Sequence, residues 1–319
     1  MRAAVVIPNW NGRRWLPGCL DSVAAQTVAP SATVVVDNGS EDGSRELLAE
    51  RYPHIRAIAL GSNAGFATAA NRGIGEVDAD AVALVNTDVV LAPDWLARMC
   101  AVLDADATVA AVACKMVDLA DPGLLYDAGD VLRRDGVCEQ RGRFHRDDGR
   151  FDRPEEMFAA CAGAALYRRD AVRGVGGFDE RFFAYLEDVD LGLRLRLAGW
   201  RCRYEPVVAR HAGGGVSAAL ARSPAGWVER NTLLLVAKAF PLRWAPIVVY
   251  RQLAWAWAAL RERRLREHLT SAAAALPLLG AIARERRRLR SAAVVPIGEV
   301  VPATPVRGPR AGGHPNADR

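Results

Sequence analysis

The chain reads as an α/β protein: a mainly parallel sheet flanked by helices, with a helical C-terminal extension. Three observations predict this. Short β-branched apolar runs alternate with helical spacing at intervals of roughly 25 residues through the first half, the mark of βαβ units. Polar loops follow those runs, and in parallel sheets ligands sit beyond the carboxyl ends of the strands. Beyond residue 242 the pattern changes to Trp- and Arg-rich helical stretches.

Ala3–Ile7 is a buried-type strand, followed by the turn-rich Pro8-Asn9-Trp10-Asn11-Gly12. Trp15, Leu16, Cys19, Leu20 and Val23 then mark a helix to about Gln26. Thr33–Val36 is a second strand ending in Asp37-Asn38-Gly39-Ser40, and a helix opens after Ser44. Ile55–Leu60 is a third strand. Asn63-Ala64-Gly65-Phe66-Ala67 leads into a helix through Asn71-Arg72-Gly73. Val82–Leu91 is an apolar strand interrupted only by Asn86-Thr87-Asp88. If that pause is extended, Asn86 and Asp88 point the same way and aim oxygen ligands at a single cation. A strand-end turn with an Asx cap is the simpler alternative for an isolated N-x-D. No G-x-x-x-x-G-K-[ST] or G-x-G-x-x-G is present, so neither a P-loop nor a dinucleotide fingerprint is available.

These residues resemble a family. Val5–Asn11 with Cys19-Leu20-Asp21-Ser22, Gln26-Thr27 and Val35–Ser40, continued by Asn63–Ala67, Asn71-Arg72-Gly73 and Leu84–Asp88, are similar to the family-2 inverting glycosyltransferases of the GT-A fold, closest to their rhamnosyltransferase-like branch. The resemblance implies a Rossmann-like nucleotide-binding half. It implies that Asp37 binds the base or ribose, and that Asn86-Thr87-Asp88 stands for the D-x-D motif holding Mg²⁺ or Mn²⁺ on the donor diphosphate. Asn replaces the first acid, which leaves coordination mainly to Asp88. On this reading Pro8, Asn9, Trp10, Asn11, Asn38, Asn63, Gly65, Phe66, Asn71, Arg72 and Thr87 line the donor site.

Within residues 114–160, Tyr126-Asp127-Ala128-Gly129 and the polar, Arg-rich run Arg133–Arg153 read as surface loops or a hairpin. The small residues of Ala159–Tyr167, Gly163 among them, suggest close backbone approach. Glu187-Asp188-Val189-Asp190 crowds the first turn of a helix that runs to Gly199. Helix-dipole complementation and an Asp190–Arg194 pair explain one or two of these acids. The aromatic run Phe182-Phe183-Ala184-Tyr185 before them suits a raised carboxyl pKa and hence a base. The stretch resembles the family's E-D-x-D element, whose second acid is the base, here Asp188, with Glu187 as the alternative. A strand at Val207–Ala209 delivers His211 ahead of Gly213-Gly214-Gly215, a segment able to fold over a diphosphate. The family often has a metal- or diphosphate-facing His there. Trp200 is a candidate for stacking on a sugar, with core filling as its alternative.

The formal charge of +5 is uneven. Eleven Arg face three Glu between residues 243 and 290, a net of +8; residues 291–319 add +1, which leaves about −4 for residues 1–242. An acidic body argues against nucleic acid as partner. Trp244–Leu260 and Leu269–Ala283 are too short to span a bilayer, but Trp beside Arg suits a helix lying on an anionic membrane surface. Packing on the catalytic domain, or a homo-oligomer contact, is the alternative. Six scattered cysteines without C-x-x-C spacing and no secretory leader fit a cytoplasmic protein, peripheral on the inner face of the membrane.

The domain reading is therefore a transferase domain over 1–225 (donor half 1–113, acceptor and base half 114–225), a basic helical extension over 226–290, and a disordered tail over 291–319. The expected activity is transfer of a sugar, rhamnose from dTDP-rhamnose first, to a hydroxyl of a glycan or polyprenyl-linked acceptor. GlcNAc and galactofuranose donors stay open, as does a non-catalytic sugar-nucleotide binder. A nucleotidyltransferase would want a basic Gly-rich loop near the N-terminus, and Arg13-Arg14 is a poor substitute.

Overall fold

The computed structural model describes residues 1–213 and 222–303. The second and third glycines after His211 and the tail from 304 lie outside the described residues. In the first half, β1 (Ala3–Asn9), α1 (Leu16–Ala24), β2 (Thr33–Asp37), α2 (Ser44–Arg51), β3 (Arg56–Ala59), α3 (Phe66–Glu76) and β4 (Ala81–Val85) alternate as the sequence predicts. Then come β5 (Val89–Leu91), α4 (Trp95–Ala105) and β6 (Val109–Asp118). The strands order as β3-β2-β1-β4, all parallel.

Residues of β1 alternate between the two faces of the sheet, as the pleat requires. Val5 and Ile7 join α1 and α4 in one core, through Leu16, Leu20, Trp95 and Met99. Ala4 and Val6 meet Ala67, Ala70 and Ile74 of α3 in the other. Gly73 lets α3 lie close: a Cβ there would stand 2.2 Å from Val6 Cγ1.

The second half adds β7 (Leu125–Asp127), β8 (Asp130–Leu132), β9 (Cys138–Gln140), β10 (Glu155–Met157), β11 (Ala164–Arg168), α5 (Arg169–Gly174), α6 (Glu187–Leu197) and β12 (Arg201–His211). The sheet continues from β4 through antiparallel β11 to β6, β12 and β10. The short strand expected at Val207–Ala209 is the end of the much longer β12. That strand runs parallel to β6 and then pairs antiparallel with β5, with His211 opposite Val89.

The apolar run expected as one strand over Val82–Leu91 is two. β4 ends at Val85, a turn closes with Val89 N–H donating to the Asn86 carbonyl at 3.1 Å, and β5 leaves to pair with β12. The extended geometry expected for Asn86 and Asp88 is thus replaced by a turn.

The C-terminal helices are α7 (Pro224–Ala239), α8 (Ala245–Arg261), α9 (Leu265–Ala273), α10 (Leu279–Ala292) and α11 (Ile297–Val300). They build a third core on α6, whose Val189, Leu193 and Leu197 meet Leu234, Leu235, Phe240, Trp244 and Ile282. α6 is therefore apolar on two sides: Leu191 and Leu195 face the sheet core. Residues 291–303, read from composition as the start of a disordered tail, are ordered here. Val300 and Val301 are buried, and Arg134 donates to the Val301 and Gly298 carbonyls. Enough apolar surface is present for this stretch to dock, although Pro, Gly and Ala dominate it.

Candidate active site

The loops after β1, β2, β3 and β4 meet at one edge. Asn9 and Asp37 stand in register on neighbouring strands, and Asn9 Nδ2 donates to Asp37 Oδ1 at 2.9 Å and to Ser40 Oγ at 3.1 Å. Both residues are buried, and the Ser40 amide closes on Asp37 Oδ2 at 3.2 Å. Asn11, with φ of 52°, exchanges bonds with Ser40 and Glu41. Asn38 ties the next loop: its Nδ2 donates to Asn63 Oδ1 and the Gly65 carbonyl, and its Oδ1 accepts from Ala64 N–H. Pro8 and Trp10 are half-buried at the rim. Gly65 has φ of +92°, and a Cβ there would lie 2.7 Å from Phe183, so only glycine lets the two halves approach.

Asp88 and His211 come together across the β5–β12 pairing. Asp88 Oδ1 lies 3.0 Å from His211 Nε2, both side chains are buried, and the His211 ring stands edge-on to Tyr126 at 4.3 Å. His211 Nδ1 has no partner among the described residues. A carboxylate and an imidazole nitrogen at this spacing suit a hard divalent cation that takes its remaining ligands from phosphate and water. No group of three acidic, Cys or His ligands occurs among the described residues. Substrate oxygens would therefore have to complete the shell.

Asp188 and the turn at residues 86–88 are both tied to Ala162-Gly163. Asn86 N–H donates to the Gly163 carbonyl at 2.8 Å, and Ala162 N–H donates to Asp188 Oδ2 at 3.0 Å. The 88 and 188 regions are thus fastened to adjacent peptides. Burial raises the Asp188 carboxyl above the ordinary aspartate range, while the Ala162 and Val189 amides oppose the shift. Glu187 is more deeply buried and is pushed well up, first by burial and then by the Asp188 charge. Asp188 is the less buried of the two.

Several expected site residues also make contacts within the framework. Asn71 is engaged with the Phe178 backbone at both ends of its amide, which pins α3 to the loop before α6. Arg72 is exposed and pairs with Glu76. Phe66 packs edge-on against Phe178 at 6.2 Å. Trp200 packs against the sheet core just past the C-terminus of α6, which lies about 14 Å along the helix from Asp188 at 1.5 Å per residue, as its core-filling alternative expects.

Sequence reasoning missed two groups. Asp127, placed in a surface loop by its polar neighbours, is buried. Burial pushes it up to about 6, the Gly129 amide opposes this, and the Asp188 charge adds to it. The other group is on α7. Asn231 is fully buried and donates to the carbonyls of Phe182, Ala184 and Tyr185 at 2.9, 2.9 and 2.6 Å. Those carbonyls belong to the loop before α6, in which Phe183, Tyr185 and Leu186 all have φ between 64° and 69°. Lys238, two turns further along the same face of α7, is buried between Asp179 at 2.6 Å and Asp190 at 2.7 Å. The Arg181 bond and the Lys238 charge hold Asp179 well below the ordinary range against the cost of its burial. An Asn and a Lys eight or fewer positions apart in an apolar helix carry little sequence signal without knowledge of what they face.

The sequence profile of Glycosyl transferase family 2 matches residues 4–176, more than half of the chain. The chain belongs to that family. It is 35% identical over 212 residues to the N-acetylglucosaminyl-diphospho-decaprenol L-rhamnosyltransferase of Mycobacterium tuberculosis, covering 59% of this chain and 68% of that protein. A pre-mycofactocin glycosyltransferase of the same organism is 30% identical over 207 residues, 64% of this chain and 41% of its own length. Among solved structures, the mannosyltransferase of Pyrobaculum calidifontis in complex with GDP-Man and Mn²⁺ aligns with a TM-score of 0.52 at 20% identity, covering 91% of this chain and 85% of that one. Staphylococcus aureus TarS 1–349 with UDP-GlcNAc aligns at 0.57 and 15% identity, covering 92% and 84%. GalNAc-T7 with UDP, GalNAc and Mn²⁺ aligns at 0.59 and 15% identity over 75% of this chain, which spans about half of that structure. The GT-A-like α/β fold expected from the family-2 motifs is the fold observed.

Proposed function

We propose that this family-2 glycosyltransferase is an inverting, metal-dependent enzyme. It moves rhamnose from dTDP-rhamnose to a hydroxyl of a polyprenyl-diphosphate-linked glycan in cell-envelope polysaccharide synthesis. The observation that supports the reaction class is the link Asn86–Gly163–Ala162–Asp188, which ties the segment of the proposed cation ligand and a raised carboxylate to two neighbouring residues. The rhamnose and polyprenyl terms rest on the mycobacterial rhamnosyltransferase relative.

In this reading Asp37, Asn38 and the backbone of 63–65 hold the nucleotide, and Asp88 and His211 hold Mg²⁺ or Mn²⁺. The ion would neutralise charge on the departing diphosphate. Asp188 accepts the proton of the acceptor hydroxyl as its oxygen attacks the anomeric carbon from the face opposite the leaving group. The raised affinity of Asp188 for protons makes it the stronger base.

The extension is proposed to seat the enzyme on the cytoplasmic face of an anionic bilayer. No helix among the described residues is long and apolar enough to cross one. α8 exposes Val249, Tyr250, Leu253, Trp257 and Leu260 along one side, with Arg243 before it and Arg261 and Arg263 after it also exposed.

The deciding experiment pairs Asp188→Asn with the wild type in a radiolabelled transfer assay and a donor-binding assay. Transfer should fall by about a thousandfold or more, the scale of a lost general base, with donor affinity retained. Unaltered turnover would remove Asp188 as base.

A further inference from the structure

The start of α7 carries a pair of arginines that have no carboxylate within ion-pair distance among the described residues. Trp227 is 9% exposed and lies flat on Phe183, with ring centroids 4.9 Å apart and planes 10° from parallel. Two guanidinium groups approach the same indole, Arg230 at 5.2 Å and Arg222 at 5.8 Å. Both are half-buried, and among the described residues neither has a carboxylate within ion-pair distance, whereas the buried Arg133, Arg194 and Arg251 each have one. Burial, and then the Arg222 charge, hold the Arg230 guanidinium below the ordinary arginine range. Two half-buried like charges held against one ring are costly unless an anion joins them. Two forked donors held on one indole match a diphosphate in charge, and each can bind phosphate oxygens in pairs.

The position of the cluster identifies which diphosphate. Arg230 Nη1 donates to Asn231 Oδ1 at 2.5 Å, and Asn231 holds the loop leading into Asp188. Arg222 Nη1 reaches Ser271 Oγ of α9 at 3.4 Å. The pair thus lies between the base loop and the helices whose neighbour α8 exposes the apolar side. The donor diphosphate has its own cation site at Asp88 and His211. A lipid-diphosphate sugar needs the opposite arrangement: sugar at the carboxylate, diphosphate next, hydrocarbon outermost.

We propose that Arg222 and Arg230, spaced by Trp227, form the subsite that binds the diphosphate group of the acceptor. This rests on the glycosyltransferase reading for the identity of the acceptor, but the anion site itself does not.

Two measurements test it. Inorganic pyrophosphate is titrated by calorimetry into the full chain with EDTA present, so that the Asp88 site cannot contribute through a metal. Binding should weaken roughly tenfold to hundredfold on Arg222→Gln and further on Arg230→Gln, the scale of lost charge-assisted hydrogen bonds. The preference for a prenyl-diphosphate glycoside over a neutral alkyl glycoside of the same sugar should shrink by a similar factor in the acceptor KM. Unchanged pyrophosphate binding in both variants overturns the proposal, as does an effect confined to the donor KM. Arg222, at the edge of the fold with one side-chain bond to Ser271, keeps the test valid should Arg230→Gln fail to fold. Absence of any sugar transfer by the wild type would sink the enzymatic reading while leaving the pyrophosphate result interpretable.

Discussion

Replacing Asn231 by Ala removes the amide that holds three carbonyls of the loop before α6. Three residues of that loop, Phe183, Tyr185 and Leu186, are non-glycine residues with positive φ. Each costs on the order of 1–3 kcal/mol when held in that region, so the loop stores at least about 3 kcal/mol that Asn231 helps to contain. Leaving one buried carbonyl unsatisfied costs a further ~1–3 kcal/mol. The released loop would relax toward negative φ and carry the first turn of α6, and with it Asp188, away from Ala162. A displacement of about 1 Å at a reacting group lowers kcat roughly a hundredfold. The assay is steady-state transfer with urea unfolding in parallel. Stability should drop by about 2–4 kcal/mol, as for other losses of buried hydrogen bonds, and kcat should fall far more than the donor KM rises. A variant that is less stable but retains wild-type kcat would refute the positioning argument and leave Asn231 a purely structural residue.

Three further outcomes are expected. Lys238→Met leaves Asp179 and Asp190 with only Arg181 and Arg194; urea midpoints should report a loss of about 3 kcal/mol, the lower end for a broken buried ion pair. Because the folded Asp179 carboxyl is depressed, its contribution is present above the unfolded value of about 3.9 and is lost as pH falls below it. The wild type should therefore lose more stability on acidification than Lys238→Met. Asp127 titrates in the opposite sense: pushed up to about 6, it favours folding when protonated, and stability should decline as pH rises from about 4 to 6. Asp127→Asn should melt higher than the wild type at pH 7.5 and show a flatter profile by scanning calorimetry; a lower melting point would mean the charge is compensated. Leu253→Glu with Trp257→Glu should abolish sedimentation with phosphatidylglycerol vesicles without altering the melting curve, since both side chains are exposed, and persistent co-sedimentation would count against the membrane face.

The donor half was legible because its signals are local. β-Branched runs, turn residues and helical spacing each declare themselves within ten residues, and β1 to β4 follow them closely. For Asn86-Thr87-Asp88 the sequence left both an extended and a turned backbone open, because the choice is made by β12, more than a hundred residues later. The same holds for Asp127, whose burial depends on β6, and for Asn231 and Lys238, whose partners lie on a loop some fifty residues earlier. The bonds of Asn71 to Phe178 and the packing of Trp200 on the sheet core were hidden for the same reason. A polar or aromatic residue beside a motif looks functional until the contact that occupies it is known.

The adjacent peptides of Ala162 and Gly163 have an evolutionary corollary. One of them grips the segment of Asp88 and the other grips Asp188, so the gap between the two is set by a ruler two residues long. The hairpin at 130–140 and the helices beyond residue 222 can then diversify to suit new glycans without retuning that gap. Natural variants and laboratory chimeras that exchange those outer parts should inherit the spacing intact.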